Sequence, residues 1–540
     1  MNRNPSALPE APSSLYAALV LGLLVVLLPA VPWVLLDHSV WPWDPAWYGE
    51  TSLRLYFELT HEPTAWVSSM LHVLGIKAPA LPWLGQFFVP LRHVLGSFEA
   101  ALLTLIVLSL SISSWLLWRA LRRSASGRVL PICCALCFFS SGPLLVGLTH
   151  QFFVEPLQVL AVMWLLENYW SPRARSEKFL HLLLANVFGV AVKVSTPLYT
   201  LPLSLLILWQ CFAEKSQDKP RAFSLVLLVF SSVVGGSLTA AWYVLNWTTL
   251  TAFLASTSSG TVAELYGQRA AFIETLKFWS LQTVYAFFLT VPCAVIWFVG
   301  VGAGLILRLR SRQPWNRADT CLIACLVQIG IVLGVFSLQI NRETRYLLPL
   351  LPYFCFITFY VLRFYSRAIA CICLVLLLTE SLLVNMEALG MGAPQRLSNS
   401  PWLLPLTRNP SERALLHEVI EHTCTSDRMN RYNIIGLELP AFNANSASFY
   451  FYQRKVEQAL PYQCLYTSLG YAESDVERAW KRAADLNVSA FIFLTTARPR
   501  TEDAFNRVSA PIVERIRADS EFHESLFGPQ AQVSMYRRGS

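Results

Sequence analysis

Apolar runs of about 17–25 residues recur along most of this chain, the length an α-helix needs to cross the hydrocarbon core of a bilayer. They fall at residues 15–36, 99–118, 129–148, 152–169, 179–193, 197–212, 223–245, 278–307, 319–338, 346–362 and 368–389 and predict roughly eleven spans. The two short runs 179–193 and 197–212 meet at Lys193-Val194-Ser195-Thr196-Pro197 and are expected to form a tilted or re-entrant pair. Between runs, basic residues cluster: Arg119, Arg122, Arg123 and Arg128; Arg173, Arg175 and Lys178; Lys215, Lys219 and Arg221; Arg308, Arg310, Arg312 and Arg317; then Arg363 with Arg367. Counting spans between the clusters puts all of them on one face, the cytoplasmic one by the positive-inside rule. The opposite face receives the 37–98 loop, the 149–151 turn, the 246–277 loop, the 339–345 turn and everything after about residue 390.

Beyond residue 390 the pattern changes. Ser411-Glu412 after Asn409-Pro410 reads as a helix start, and Leu415, Leu416, Val419 and Ile420 then recur at helical spacing. Ser474-Asp475-Val476-Glu477 predicts a second start with a capping box, and 433–437 and 489–494 read as buried strands. The expected fold is therefore a polytopic α-helical membrane protein with a C-terminal extracytoplasmic α/β domain. Its parts are a cytoplasmic tail at 1–14, a transmembrane domain at 15–390 with the first external loop at 37–98, and a soluble domain at 391–540.

Composition agrees. Of 540 residues 54% are hydrophobic and only 14% charged, too little charge to clothe a soluble domain of this size. The net charge of +8 sits in the short loops between spans, so it marks topology and no nucleic-acid partner. The compact arginine-rich turns point to a bacterial inner membrane. Of the twelve cysteines, Cys424 and Cys464 alone lie in the polar tail, where they would pair as a disulfide if that face is oxidising.

Polar residues that a membrane protein does not need for solubility carry the functional signal. Asp44 lies just beyond the first run, in Val40-Trp41-Pro42-Trp43-Asp44-Pro45-Ala46-Trp47-Tyr48-Gly49-Glu50, and Glu50 and Lys77 share its loop. His150 and Glu155 flank the turn before the fourth run, Lys193 sits at the break between the short spans, and Arg342 and Arg345 precede the tenth. All are expected on the external face. Guanidinium and ammonium groups there suit a phosphate at headgroup depth. A carboxylate beside them can take a proton from an incoming hydroxyl, or help hold a divalent metal ion, with Glu50 and His150 as candidate substrate or metal contacts.

Four pieces resemble a family: the acid in the first external loop, Lys77-Ala78-Pro79-Ala80-Leu81-Pro82-Trp83-Leu84, Glu155-Pro156-Leu157, and Arg345-Tyr346-Leu347-Leu348-Pro349-Leu350-Leu351-Pro352. Over about residues 15–390 the chain is similar to the glycosyltransferases of GT-C type, in particular the dolichyl-phosphate-mannose-protein mannosyltransferase-like group of family 39 and the related lipid A aminoarabinose transferases. The resemblance implies transfer of a sugar, with inversion, from a polyprenyl-phosphate donor to a lipid, glycan or protein acceptor. It implies that Asp44 and Glu155 are the catalytic acids and that Lys77 and Arg345 lie near the donor phosphate; Lys193 and Arg342 are further candidates for phosphate binding by position. The chain departs from the family at Pro45, where a second acid usually follows the first, and at Ile76, where aminoarabinose transferases carry an acid. A secondary transporter or lipid flippase is the alternative; it would need midplane charges, and Glu380 is the one midplane acid.

Overall fold

The computed structural model describes residues 30–539 apart from 125–127, 214–221, 261, 312, 392–396, 405, 408–409, 425–430, 487 and 496–502. The expected span 15–36 therefore lies outside the described residues except for its last helical stretch from Ala30 to Leu36. The 37–98 loop folds into helices, chiefly α1 (Trp43–His61), α2 (Pro63–His72) and α3 (Ala80–Gly85). The membrane part follows as α4 (Phe98–Ser124), α5 (Val129–Ser141), α6 (Pro143–Thr149), α7 (Glu155–Trp170), α8 (Arg175–Val192), α9 (Thr196–Ala213) and α10 (Ala222–Ser258). It continues with α11 (Phe272–Phe287), α12 (Val291–Arg310), α13 (Arg317–Ser337), α14 (Leu351–Leu362) and α15 (Arg367–Ala388).

Among the described residues seven helices are long and apolar enough to cross a membrane, or eight if α5 and α6, bent by 59° at Gly142-Pro143, form one span. The protein is an integral, multi-pass membrane protein. Two expected spans are helical without meeting that length and polarity test: α7 has 16 residues, and α8 opens on Arg175, Glu177 and Lys178. The run 278–307 is not one helix. It breaks at Phe288–Thr290, because Pro292 starts α12 at a position where its missing N–H costs nothing. The break leaves the Leu289 N–H without a helical acceptor, and the buried Glu380 carboxylate takes it. Glu380 is thus a structural cap within the bundle.

Four of the five basic clusters converge at one end; that of Lys215, Lys219 and Arg221 lies outside the described residues. Arg119 (3.1 Å), Arg123 and Arg173 (2.8 Å) all pair with the fully buried Glu167. Lys178 and Arg317 both donate to the Gln210 side-chain oxygen at 3.1 Å, and Arg128 donates to the Arg363 carbonyl. Four basic loops from distant parts of the chain, those of Arg119, Arg173, Arg317 and Arg363, are tied to one another by these bonds, as a shared membrane face requires.

The tail forms α16 (Ser411–Thr423), β1 (Tyr432–Ile435), α17 (Ala444–Gln458), β2 (Leu465–Ser468), α18 (Val476–Asp485), β3 (Val488–Leu494), α19 (Ser509–Ala518), β4 (Phe522–Phe527) and β5 (Val533–Arg538). The sheet order is β2-β1-β3-β5-β4, with β1 parallel to both neighbours and β5 antiparallel to β3 and β4. The expected strands are β1 and β3; the cap expected from Ser474 is supplied instead by Asp475, whose carboxylate accepts from Glu477 and Arg478 N–H at 2.9 and 3.2 Å. The cap expected at Asn409 lies outside the described residues. Cys424, after α16, and Cys464, before β2, are joined as a disulfide with Cα atoms 5.8 Å apart.

One hydrophobic core runs from the bundle into this domain. At the junction the Trp41 ring is sandwiched between Phe152 of the membrane part (5.7 Å) and Phe449 of α17 (5.0 Å). Helix α1 lies along α17 because Gly49 has no side chain: a Cβ there would meet the Phe449 ring at 2.7 Å. The fold thereby clamps the Asp44 loop between two domains.

Candidate active site

Asp44 sits in the first turn of α1, a position that favours an anionic side chain. The preceding loop is fixed by the tail. Ser446 donates to the Trp41 carbonyl at 2.6 Å, Asn445 to the Trp43 carbonyl at 3.3 Å, and the Trp43 indole donates to Glu438 Oε2 at 3.0 Å. These bonds hold Trp43 at φ +24°, a conformation non-glycine residues seldom adopt unless their surroundings impose it.

Around Asp44 the distant charges alternate in sign. Lys77 Nζ donates to Asp44 Oδ1, and Arg345 Nη2 donates to Asp44 Oδ2 at 3.1 Å. Arg345 Nε lies 3.6 Å from Glu155 Oε1 and 3.4 Å from Glu343 Oε2. Lys193 Nζ donates to Glu155 Oε1 at 2.8 Å. Aromatic faces enclose the cations: Lys77 over Trp47, Lys193 over Tyr346, and Arg345 among Phe153, Tyr346 and Trp402. Five residues singled out from the sequence, Asp44, Lys77, Glu155, Lys193 and Arg345, thus meet in one network.

The two acids differ in access. The Glu155 side chain is 1% exposed and that of Asp44 25%, so Asp44 is the acid an incoming group can reach. Burial alone would raise the Asp44 pKa, but Lys77 and then Arg345 overcome it and hold the carboxyl well below the usual range. Lys77 is lowered by burial even though Asp44 opposes the shift. Burial likewise raises Glu343 against the pull of Arg345. Glu155 Oε2, Glu343 Oε2 and Arg345 Nε are buried with no hydrogen-bond partner among the described residues, so the network retains unused bonding capacity.

Three candidates stand apart from it. Arg342 donates to the Gln268 carbonyl at 2.9 Å and covers Phe278. His150 is buried flat against Trp33, ring centroids 3.7 Å apart, and lines a cavity of about 20 Å³ with Thr149 and Asn385. Glu50 is further along α1, where burial raises its pKa against the pull of Arg54. Glu343, Trp402 and Glu438 were not singled out from the sequence. Glu343 lies two residues before Arg345, at the extended residue that precedes the 3₁₀ turn Thr344–Leu350 carrying Arg345. Glu438 gave no signal. Among the described residues no group of three or more His, Cys, Asp or Glu side chains is placed to hold a metal ion.

No family model matches the sequence, and no curated protein matches it either. Solved structures do. Over 97% of this chain and 98% of theirs, it matches ArnT from Cupriavidus metallidurans in the apo state (14% identity, TM-score 0.60) and bound to undecaprenyl phosphate (12% identity, TM-score 0.57). Archaeal oligosaccharyltransferase AglB from Archaeoglobus fulgidus, in complex with an inhibitory peptide and a dolichol-phosphate, matches at 10% identity and TM-score 0.53, covering 98% of this chain and 74% of AglB. Arabinofuranosyltransferase AftD from Mycobacteria matches all of this chain with 42% of its own length, at 15% identity and TM-score 0.52. The fold is the GT-C type that these membrane glycosyltransferases share.

Proposed function

We propose that this protein is an inverting membrane glycosyltransferase. It moves a sugar from a polyprenyl-phosphate carrier to an acceptor on the extracytoplasmic face of a bacterial inner membrane. The observation that carries the reading is the network in which Lys77 and Arg345 share the Asp44 carboxylate and Arg345 with Lys193 brackets Glu155. The similarity to an ArnT bound to undecaprenyl phosphate and an AglB bound to dolichol-phosphate supports a polyprenyl-phosphate donor. The transporter alternative loses its midplane acid, because Glu380 is occupied by the Leu289 N–H.

An acid held so far below neutrality by two cations is a weak base. A donor phosphate changes that. Its oxygens compete for Lys77 and Arg345, and each cation drawn from Asp44 raises the basicity of the carboxylate as the sugar arrives. Asp44 then takes the proton of the acceptor hydroxyl while the acceptor oxygen bonds to the anomeric carbon. The bond from that carbon to the phosphate oxygen breaks, and its electron pair leaves on the phosphate, stabilised by Lys77, Arg345 and Lys193. One displacement with one base inverts the anomeric centre. Glu155, too buried to meet the acceptor, positions Arg345 and Lys193. The acids already have cationic partners, so this donor set does not suit a divalent ion and no step passes through one.

In proteoliposomes with a polyprenyl-phosphate-sugar extract, Asp44→Asn is expected to reduce transfer at least ~10²-fold while undecaprenyl phosphate still binds. Full transfer by that variant overturns the assignment. EDTA is expected to leave the wild-type rate unchanged.

A further inference from the structure

The parallel strands of the tail end toward the active site, and open α/β sheets place ligands in the crevice beyond the carboxyl ends of their strands. Three loops meet there. Glu438 follows β1, Tyr471 follows β2, and Phe505-Asn506 follows β3. Asn506, buried, ties the first loop to the third by accepting from the Glu438 N–H at 2.7 Å. The Glu438 carboxylate bonds to the Trp43 indole, one residue from Asp44, and to the Ser468 side chain.

Tyr471 is displayed rather than buried. Its neighbours Gly470 (φ +134°) and Ala472 (φ +52°) both adopt left-handed backbone, and the ring between them is 49% exposed. Phe505 packs edge-on to Tyr471 (5.6 Å) and to Tyr266 (6.4 Å), which belongs to the membrane part. The Tyr266 and Tyr471 hydroxyls bond to each other across the domain boundary. Phe505 precedes Asn506, which accepts from the Glu438 N–H, and Glu438 holds the Trp43 indole next to Asp44, so the aromatic trio borders the charged network.

The arrangement pairs one exposed and two half-buried aromatic rings with a carboxylate that keeps free lone pairs. Aromatic faces pack on the apolar C–H face of a sugar ring, and a carboxylate accepts from its hydroxyls. We propose that this crevice is an acceptor-side saccharide subsite, in which Tyr471, Phe505 and Tyr266 pack on a sugar ring and Glu438 accepts from its hydroxyls. It rests on the glycosyltransferase reading and narrows the acceptor to a glycan. Asp44 lies next to Trp43, so a hydroxyl of a saccharide seated there is directed at the base.

The test uses the full-length protein in nanodiscs on an array of defined oligosaccharides, with lipid A and unglycosylated peptides as separate spots. Undecaprenyl phosphate binding is measured in parallel. Wild type is expected to retain a saccharide class, and Tyr471→Ala and Glu438→Gln each to weaken that binding about tenfold. Tyr471→Phe, which keeps the ring and loses only the hydroxyl pair, is expected to retain most of it. No saccharide binding, binding unchanged in both Tyr471→Ala and Glu438→Gln, or retention of lipid A or peptide alone overturns the proposal. If undecaprenyl phosphate still binds in that case, the donor reading stands without it; if wild type binds no undecaprenyl phosphate, the donor reading falls instead.

Discussion

Arg345 touches three carboxylates and three rings, and the behaviour of Asp44 depends on it and on Lys77. The folded-state pKa of Asp44 is depressed, so the carboxylate stays charged as pH falls through 3.8, its ordinary value. Removing a cation destabilises the charged form and moves that pKa upward. Lys77→Met is therefore expected to give kcat/KM an acid limb at higher pH than wild type, together with weaker donor binding. Coincident acid limbs would remove Lys77 from contact with the base. These residues were legible because each is a charge in an apolar chain that had no need of it. Arg342 is a candidate by position only, three residues before Arg345 in the same turn. The structure separates them: Arg342 turns to the Gln268 carbonyl, whereas Arg345 lies in the 3₁₀ turn Thr344–Leu350 and meets Glu343 at its start.

Helix α1 carries Asp44, the proposed base, and its position depends on how closely α17 approaches. Gly49→Ala places a methyl group 2.7 Å from the Phe449 ring, which is itself buried beside Trp41 and cannot turn away. Overpacking of this kind costs about 1–3 kcal/mol. The expected result is a lower thermal midpoint and easier proteolytic release of the tail, with transfer reduced through misplacement of Asp44. Helices of the bundle were legible from apolar length; breaks inside them were less so, because a proline such as Pro292 can either begin a helix or kink one. In the tail, β1 and β3 are buried and apolar and were read directly. Strand β4, Phe-His-Glu-Ser-Leu-Phe with an exposed middle, lacks the pattern that would announce it. The crevice beyond β1–β3 was invisible for a different reason: it is made by topology, and no local pattern encodes which loops the strand order brings together.

Across the molecule, the charge network and the described basic clusters occupy opposite ends of the bundle, and the disulfide belongs to the end that holds the site. Cys424 and Cys464 are 40 residues apart in sequence, and a crosslink closing a loop of that length stabilises a domain by about 2–5 kcal/mol when it can form. It persists only in an oxidising compartment, whereas the positive-inside rule expects the Arg119-Arg123-Glu167-Arg173 cluster on the cytoplasmic side. Orientation and tail stability are therefore linked. Dithiothreitol is expected to lower the unfolding midpoint of the tail in the wild type and to have no effect in Cys424→Ser. Engineered single thiols test the other half. In intact cells a membrane-impermeant maleimide should label Ser520→Cys in the exposed tail, whereas Arg310→Cys, in the fourth basic cluster, should react only after permeabilisation. Labelling in the reverse order would put the tail in a reducing compartment, strip it of the crosslink and turn the Asp44 network toward the cytoplasm, where an acceptor outside the cell has no access to it.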